Sequence, residues 1–257
     1  NVSGIGYNPV GDFTTDGALL RREETIELER LLEIAAFCNG SKIEPPSDRN
    51  RNWSIIGDPT DGALLVAALK YGLNVEEELV EKPVVDILPF SFERKRMSTI
   101  HAFNDEVLVY SKGAPRNILE LCSKMLIGGK AEALSQAKLD VIEAKIHEFA
   151  AEGLRVIAVA YKRLPKAAYK KGDDVENDLV FVGLAGMRDP PRTEVRDAVL
   201  KAKRAGIKTV IITGDYGPTA QVVAQEVGIV DGSSCKIVRG VDLDELTDTD
   251  IVDEVKK

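Results

Sequence analysis

Val107-Leu108-Val109-Tyr110-Ser111-Lys112-Gly113-Ala114-Pro115-Arg116-Asn117-Ile118-Leu119-Glu120-Leu121 is the stretch on which the reading of the chain turns. Val107 to Tyr110 are β-branched, aliphatic and aromatic, which suits a buried strand. Gly113 permits a tight turn, and Pro115 fits the first turn of a helix, where its missing N–H is not needed. The stretch therefore reads as strand, turn, helix. Lys112 stands at the strand end, beside a turn where a ligand can approach the backbone. A lone cation there suits a nucleotide or another anion, but the stretch by itself favours an ordinary solvated lysine in a strand-to-helix turn.

Upstream, Val84 to Phe103 reads as two strands around Glu93-Arg94-Lys95-Arg96, and Asn104-Asp105 turns the chain into Val107. That is an antiparallel meander. Trp53 to Ile56 is a short strand. Gly57-Asp58-Pro59-Thr60-Asp61-Gly62 then opens a helix through Tyr71, with Asp58 as cap and Gly72 as stop. Val75 to Glu81 predicts a further helical turn. Glu23 to Cys38 carries Leu28, Leu31, Leu32, Ala35 and Ala36 on one helical face and ends at Asn39-Gly40. Ser41 to Asn52 is a polar loop, and Val2 to Tyr7 alternates weakly as a strand.

Downstream, Gly128-Gly129 marks a turn, Ser135 to Glu152 a helix, Leu154 to Leu164 a long apolar strand and Leu179 to Met187 another. Pro165 to Asp178 reads as an exposed charged loop. The character changes at Asp189-Pro190-Pro191-Arg192, a stiff connector. Beyond it come a helix over 192–205, a strand over 207–212, Thr213-Gly214-Asp215, and a helix over 219–227. This alternation predicts a βαβ unit, with Thr213 to Asp215 at the carboxyl end of a parallel strand, where such sheets bind ligands. The expected fold is α+β: an antiparallel sheet flanked by helices over residues 1–188, then a partial α/β, Rossmann-like segment over 189–257.

A chain of 257 residues has room for two modest domains. Its 44% hydrophobic and 30% charged residues are those of a globular protein, and its net charge of -8 excludes general nucleic-acid binding. Cys38, Cys122 and Cys235 are scattered among apolar neighbours, which predicts buried thiols in a reducing compartment. His101 and His147 lack ligand spacing. No apolar run approaches the ~20 residues of a membrane helix. The chain opens on Asn1 without an initiator Met and closes on Lys257, so it is expected to be a piece of a longer protein.

Four clusters carry possible chemistry. Asp58 to Gly62 offers a carboxylate, or simply a helix cap. Phe90 with Arg94, Lys95, Arg96 and Met97 offers an aromatic to stack a base and cations for phosphates, or a polar hairpin tip. Lys112-Gly113-Ala114 is the third. Gly153-Leu154-Arg155 is the fourth, with Arg155 opening an apolar strand; phosphate recognition and a surface salt bridge explain it equally. No Gly-x-x-x-x-Gly-Lys-Ser/Thr loop is present, Gly4-Ile5-Gly6 lacks a third glycine, and two histidines give no credible Ser-His-Asp set.

Taken in order, the clusters resemble the cytosolic nucleotide-binding domain of P-type cation-transporting ATPases. Gly-Asp-Pro-Thr-Asp-Gly-Ala-Leu at 57–64 is similar to the family's Gly-Asp/Glu-x-Thr-Glu-x-Ala-Leu motif. Phe90 through Ser98 resembles its Phe-x-x-x-Arg-Lys-x-Met-Ser motif, Lys112-Gly113-Ala114 its Lys-Gly-Ala, and Leu154-Arg155 its Leu-Arg strand. Asp189-Pro190-Pro191-Arg192 and Thr213-Gly214-Asp215 resemble the hinge and second loop of its phosphorylation domain, a haloacid-dehalogenase-like unit. Loop lengths and the Arg-Lys-Arg-Met-Ser run are most similar to the calcium-pump-like branch.

The resemblance implies an ATP-binding piece of an ion pump that delivers the γ-phosphate to an Asp outside this chain. It implies that Phe90 stacks on adenine, that Asp61 faces the adenine amino group, and that Met97, Lys112, Gly113 and Ala114 line the base site. Lys95 and Arg155 would reach the phosphates; Thr213 would bind the transferred phosphoryl group, with Asp215 and Arg192 nearby. ATP with Mg2+ is the implied cofactor. The implied partners are the remaining phosphorylation, actuator and transmembrane domains of a pump, on its cytoplasmic side. Two departures stand out: Phe92 replaces an Arg that helps hold phosphate in many calcium pumps, and Asp61 replaces the usual Glu. The family's Asp-Lys-Thr-Gly-Thr and Thr-Gly-Asp-Gly-x-Asn-Asp motifs are absent, so the chain alone is expected to be inactive. A freestanding haloacid-dehalogenase-like phosphotransferase or phosphatase around Thr213 is the alternative. A non-catalytic module presenting the charged loop of Lys166 to Asp178 is a third reading.

Overall fold

The strand read from Val107 to Tyr110 runs on to Gly113 and lies inside a seven-stranded sheet. The structure, a computed structural model, describes residues 1–4, 6–20, 26–48, 50–189, 193–213 and 217–230, with 236–238, 242 and 247 beyond them. In chain order the elements are β1 (Thr14–Thr15), β2 (Ala18–Leu19), α1 (Ile26–Phe37), β3 (Lys42–Glu44), β4 (Ser54–Ile56), α2 (Pro59–Tyr71), α3 (Val75–Glu81), β5 (Val84–Ser91) and β6 (Arg96–Phe103). They continue with β7 (Glu106–Gly113), α4 (Pro115–Leu119), β8 (Cys122–Ile127), β9 (Lys130–Ala133), α5 (Gln136–Ala151), β10 (Arg155–Pro165), β11 (Leu179–Met187), α6 (Thr193–Arg204) and α7 (Gly217–Glu226).

The large sheet has the order β5-β6-β7-β10-β11-β8-β9. The β5-β6-β7 meander is antiparallel, β7 pairs antiparallel with β10, and β8 pairs antiparallel with β9. β8 pairs parallel with β11. The fold is thus mixed α+β, with a large, mostly antiparallel sheet flanked by helices. Strand period places alternate residues on opposite faces. Leu108 and Tyr110 of β7 join α1 and α2 in one core; Val107 and Val109 join Ile100 and Val175 in another. A third cluster sets Ile118 and Ile142 against Ala158, Ala160 and Phe181. Leu32 to Phe37 are all buried, not only the one predicted stripe of α1, because α1 contacts α2, β7 and β11.

Three expectations change. Pro165 to Asp178 is not simply an exposed loop: Val175 and Glu176 are buried, and Tyr169 donates to Asp86 Oδ2 at 3.0 Å. Val175 is apolar enough to anchor the segment against the sheet. Residues 207–213 are described but form no strand, although Ile207, Val210, Ile211 and Ile212 have strand-like composition. A strand needs a neighbour to bond its backbone groups, and among the described residues none lies beside it. At the N-terminus, the expected strand from Val2 is a single bridge between Val2 and Phe13.

The chain divides into two compact units: Asn1–Ile146 with Val156–Met187, and His147–Arg155 with Arg188–Lys257. In the second, α6 and α7 are formed, and Arg188 pairs with Glu226 at 2.5 Å. Among the described residues no helix is long and apolar enough to cross a membrane.

Candidate functional site

The start of α2 places the first site residue. Asp58 Oδ1 accepts from the backbone N–H of Thr60 at 2.8 Å and of Asp61 at 3.3 Å, and Pro59 sits in the first turn. Gly72, at φ 86°, closes the helix in the left-handed conformation that a side chain resists. The cap fixes Asp61 in the first helical turn. From there its Oδ1 accepts from Lys112 Nζ at 2.6 Å, and its Oδ2 from the Gly40 N–H at 3.0 Å. Asn39 ties α1 to α2 by donating to the carbonyls of Ala35 and Asp61. The Asn39-Gly40 pair, legible in the sequence only as a helix stop, therefore also shapes the site.

Strand register supplies the rest. Met97 of β6 lies opposite Lys112 of β7. In β5, Leu88 pairs with Ser98 and Ser91 with Arg96, so Pro89 and Phe90 together face the single residue Met97 across a bulge. Phe90, Met97 and Lys112 thus fall in one row across three strands. Phe90 is 53% exposed, whereas Lys112 is only 5% exposed. An ordinary solvated lysine is excluded by that burial. Cys38 lies behind the row, its thiol donating to the Met97 carbonyl at 3.5 Å; burial is the main reason its pKa is pushed up to about 11, so it stays a thiol.

The hairpin tip packs against the Lys112-Gly113-Ala114 turn. A Cβ on Gly113 would meet the Lys95 carbonyl oxygen at 2.5 Å, so only glycine fits there. Ala114 N–H donates to that same carbonyl at 2.9 Å. Lys95 is exposed at φ 52°. Phe92, 88% exposed, meets Phe90 edge to face with ring centroids 5.6 Å apart.

Arg94 and Arg96 are occupied elsewhere. Arg94 Nη1 and Arg96 Nε both donate to Glu176 Oε2, at 2.7 and 2.8 Å, and Ser98 Oγ donates to Oε1 at 2.7 Å. Burial alone would raise the Glu176 pKa; Ser98, Arg94 and Arg96 outweigh it and hold the carboxyl below its ordinary value. Glu176 escaped the sequence reading because nothing in a charged loop marks which carboxylate folds inward. The one legible signal was Val175, an apolar residue among polar ones.

The arrangement gathers Asp61, Met97, Lys112, Gly113, Ala114, Lys95 and Phe90 within the first unit. It offers a flat apolar face, a carboxylate with spare acceptor sites and a held ammonium group, which suits a planar polar base. Arg155 opens β10, is exposed and belongs to the second unit, as does exposed Thr213. Asp215 and Arg192 lie outside the described residues. Among the described residues no group of three His, Cys, Asp or Glu side chains is placed to hold a metal ion. A cavity of about 300 Å³ lies away from the row, lined by Arg30, Glu33, Lys82, Phe103, Leu108 and Arg163 among others.

Comparison with known proteins gives the same direction. The family model described as P-type ATPase, cytoplasmic domain N, matches residues 27–194. A calcium-transporting ATPase of Bacillus subtilis is 36% identical over 251 residues, covering 97% of this chain and 28% of that protein. A cation-transporting ATPase of Synechocystis is 37% identical, covering 89% and 25%. An endoplasmic reticulum-type calcium-transporting ATPase of Arabidopsis thaliana is 33% identical, covering 90% and 26%. The chain spans about a quarter of the length of these relatives.

Proposed function

Since this chain belongs to the family of the P-type ATPase cytoplasmic domain N, we propose that it binds ATP for a cation pump, as a calcium-pump-like member. Residues 1–188 form the nucleotide-binding domain, and 189–257 part of a haloacid-dehalogenase-like phosphorylation domain. The nucleotide brings the transferable phosphoryl group and the Mg2+ that screens it.

The chain's own side chains orient that nucleotide. Phe90 offers its exposed ring to the adenine face, and Met97 supplies the apolar floor beside it. Asp61 keeps acceptor sites beyond those used by Lys112 and Gly40, so it takes the adenine amino group. Lys112, held by Asp61, lies beside the ring, with Gly113 and Ala114 closing that edge. Lys95, exposed at the hairpin tip, reaches toward the phosphates; Arg155, exposed at the start of β10, is the second cation for them that the family resemblance implies. Thr213, Asp215 and Arg192 act on the transferred phosphoryl group. The acceptor Asp, the actuator domain and the transmembrane domain belong to the rest of a membrane-embedded pump, whose cytoplasmic side this chain occupies. Alone, the chain does not turn over ATP.

The row of Phe90, Met97 and buried Lys112, with Asp61 over its end, carries the reading. One stack and two charge-assisted contacts, less the cost of association, give a Kd of roughly 0.1 to several mM. Amide NMR shifts of Asp61, Lys112 and Gly113 are expected to move and saturate on titration with millimolar ATP. No movement there would exclude the site.

A further inference from the structure

The β5–β6 hairpin carries Phe90, Lys95 and Met97; its tip is tied to the Lys112-Gly113-Ala114 turn, but the Phe90, Phe92 and Lys95 side chains are exposed. A further restraint comes from the other face. Arg96 and Ser98 alternate with Met97 along β6, so they project opposite to Met97 and Lys112. There they meet Glu176, 5% exposed, delivered by the segment between β10 and β11. Arg94, from the hairpin turn, joins the same oxygen through Nη1 and donates through Nη2 to the carbonyl of Pro89, next to Phe90. A chain of contacts therefore runs from Glu176 through Arg94 to the bulge that sets Phe90. Ser111, opposite Ser98 on β7, completes the cluster at 2.7 Å between hydroxyls.

We propose that Glu176 is a positioning residue for nucleotide binding: from the reverse face of the sheet it clamps Arg94 and Arg96 and so fixes the bulge that presents Phe90 to the base. The proposal rests on the ATP-binding reading above. It also assigns Arg94 and Arg96 to the clamp rather than to phosphate. Two guanidinium groups share one buried carboxylate oxygen, and losing that carboxylate leaves both without this partner.

The test is a double-mutant cycle on the full 257-residue chain, with Kd for ATP and for adenosine read by NMR titration and folding checked by circular dichroism. Glu176→Gln keeps the size of the side chain and an acceptor for Ser98 but removes the charge. It is expected to raise the Kd of both ligands about fivefold, because the loss acts on the base rather than on the phosphates. Arg94→Gln, which cuts the same link from the hairpin side, is expected to match it; Glu176→Asp is expected to recover part of the loss. In a Phe90→Ala background Glu176→Gln is expected to add less than twofold, since the residue through which it acts is gone. Full additivity, or weakening of ATP binding with adenosine unchanged, would overturn the proposal while leaving the site intact. If Phe90→Ala itself leaves both affinities unchanged, the ATP site fails, and the proposal that rests on it falls with it.

Discussion

Two buried ion pairs stand on the same face of β7, two residues apart, and they are built differently. At Tyr110 the carboxylate of Glu33 accepts three hydrogen bonds: Oε1 from Tyr110 at 2.6 Å and from Lys82 at 2.7 Å, and Oε2 from Arg30 at 2.5 Å. At Lys112 the carboxylate of Asp61 meets one ammonium group and one backbone N–H. Glu33 gives three of its roughly four acceptor sites to protein side chains deep in the fold, whereas Asp61 gives one to a side chain and one to a backbone N–H, at the end of the row that carries the exposed Phe90 ring. Burial raises the pKa of Glu33, but Arg30, Lys82 and Tyr110 overcome it and hold the group below its ordinary value. The lesson is that a buried charge alone does not mark a site. Unfilled hydrogen-bonding capacity beside an exposed flat ring does.

That contrast breaks first at Glu33. Glu33→Ala takes the acceptor from buried Tyr110 and from half-buried Arg30, and leaves half-buried Lys82 with Glu78 alone; it is expected to cost about 3 kcal/mol of stability by urea denaturation. The ATP affinity of the protein that remains folded should not change. Phe90→Ala is the reverse case: with Phe90 half exposed, stability should hold, while loss of the stack, ~2 kcal/mol, raises the Kd for ATP about 30-fold. Lys112→Met keeps the bulk but removes the charge, and the Kd should rise about tenfold in the same titration. The smallest effect is expected from Phe92→Arg, which adds an exposed cation at the hairpin. ATP should bind about threefold tighter and adenosine unchanged, as suits a solvent-screened phosphate contact.

Acid sharpens the same comparison. Glu33 and Glu176 both bind a proton less readily when folded than when unfolded. The stability they confer is complete above the ordinary value of 4.5 and is lost as pH falls through their lower folded values. Glu33→Gln removes one share of that dependence. The gap in Tm between the natural chain and this variant should therefore narrow steadily below pH 4.5; a constant gap would show that the Glu33 charge is not what holds the cluster.

Much of the fold was legible because its signals are local. Asp58, Pro59 and Gly72 bound α2 through backbone chemistry that any chain obeys, and β7 followed from its β-branched run. The site residues on α2 and the meander were legible as motifs, but the sequence left each with a second reading. Lys112 as a solvated lysine was one such alternative, and burial on the far side of Asp61 removed it. Residues 207–213 show the limit in the other direction: β-branched composition favours a strand but does not supply the neighbour that makes one. Glu176 shows it again, since the segment around it reads as solvated charge until Val175 docks against Ile100 and Val109.

By itself, then, the sequence determined most of the elements, their caps and turns, and the family, for these depend on neighbours along the chain and on motifs in order. Only the tertiary structure decided that Asp61 closes on Lys112 across 51 residues of sequence, that a bulge sets Phe90 in line with Met97, and that Glu176 holds the hairpin from behind. The physical reason is that an ion pair or a strand register is chosen by packing among distant residues, and the worth of a charge depends on how far that packing removes it from water.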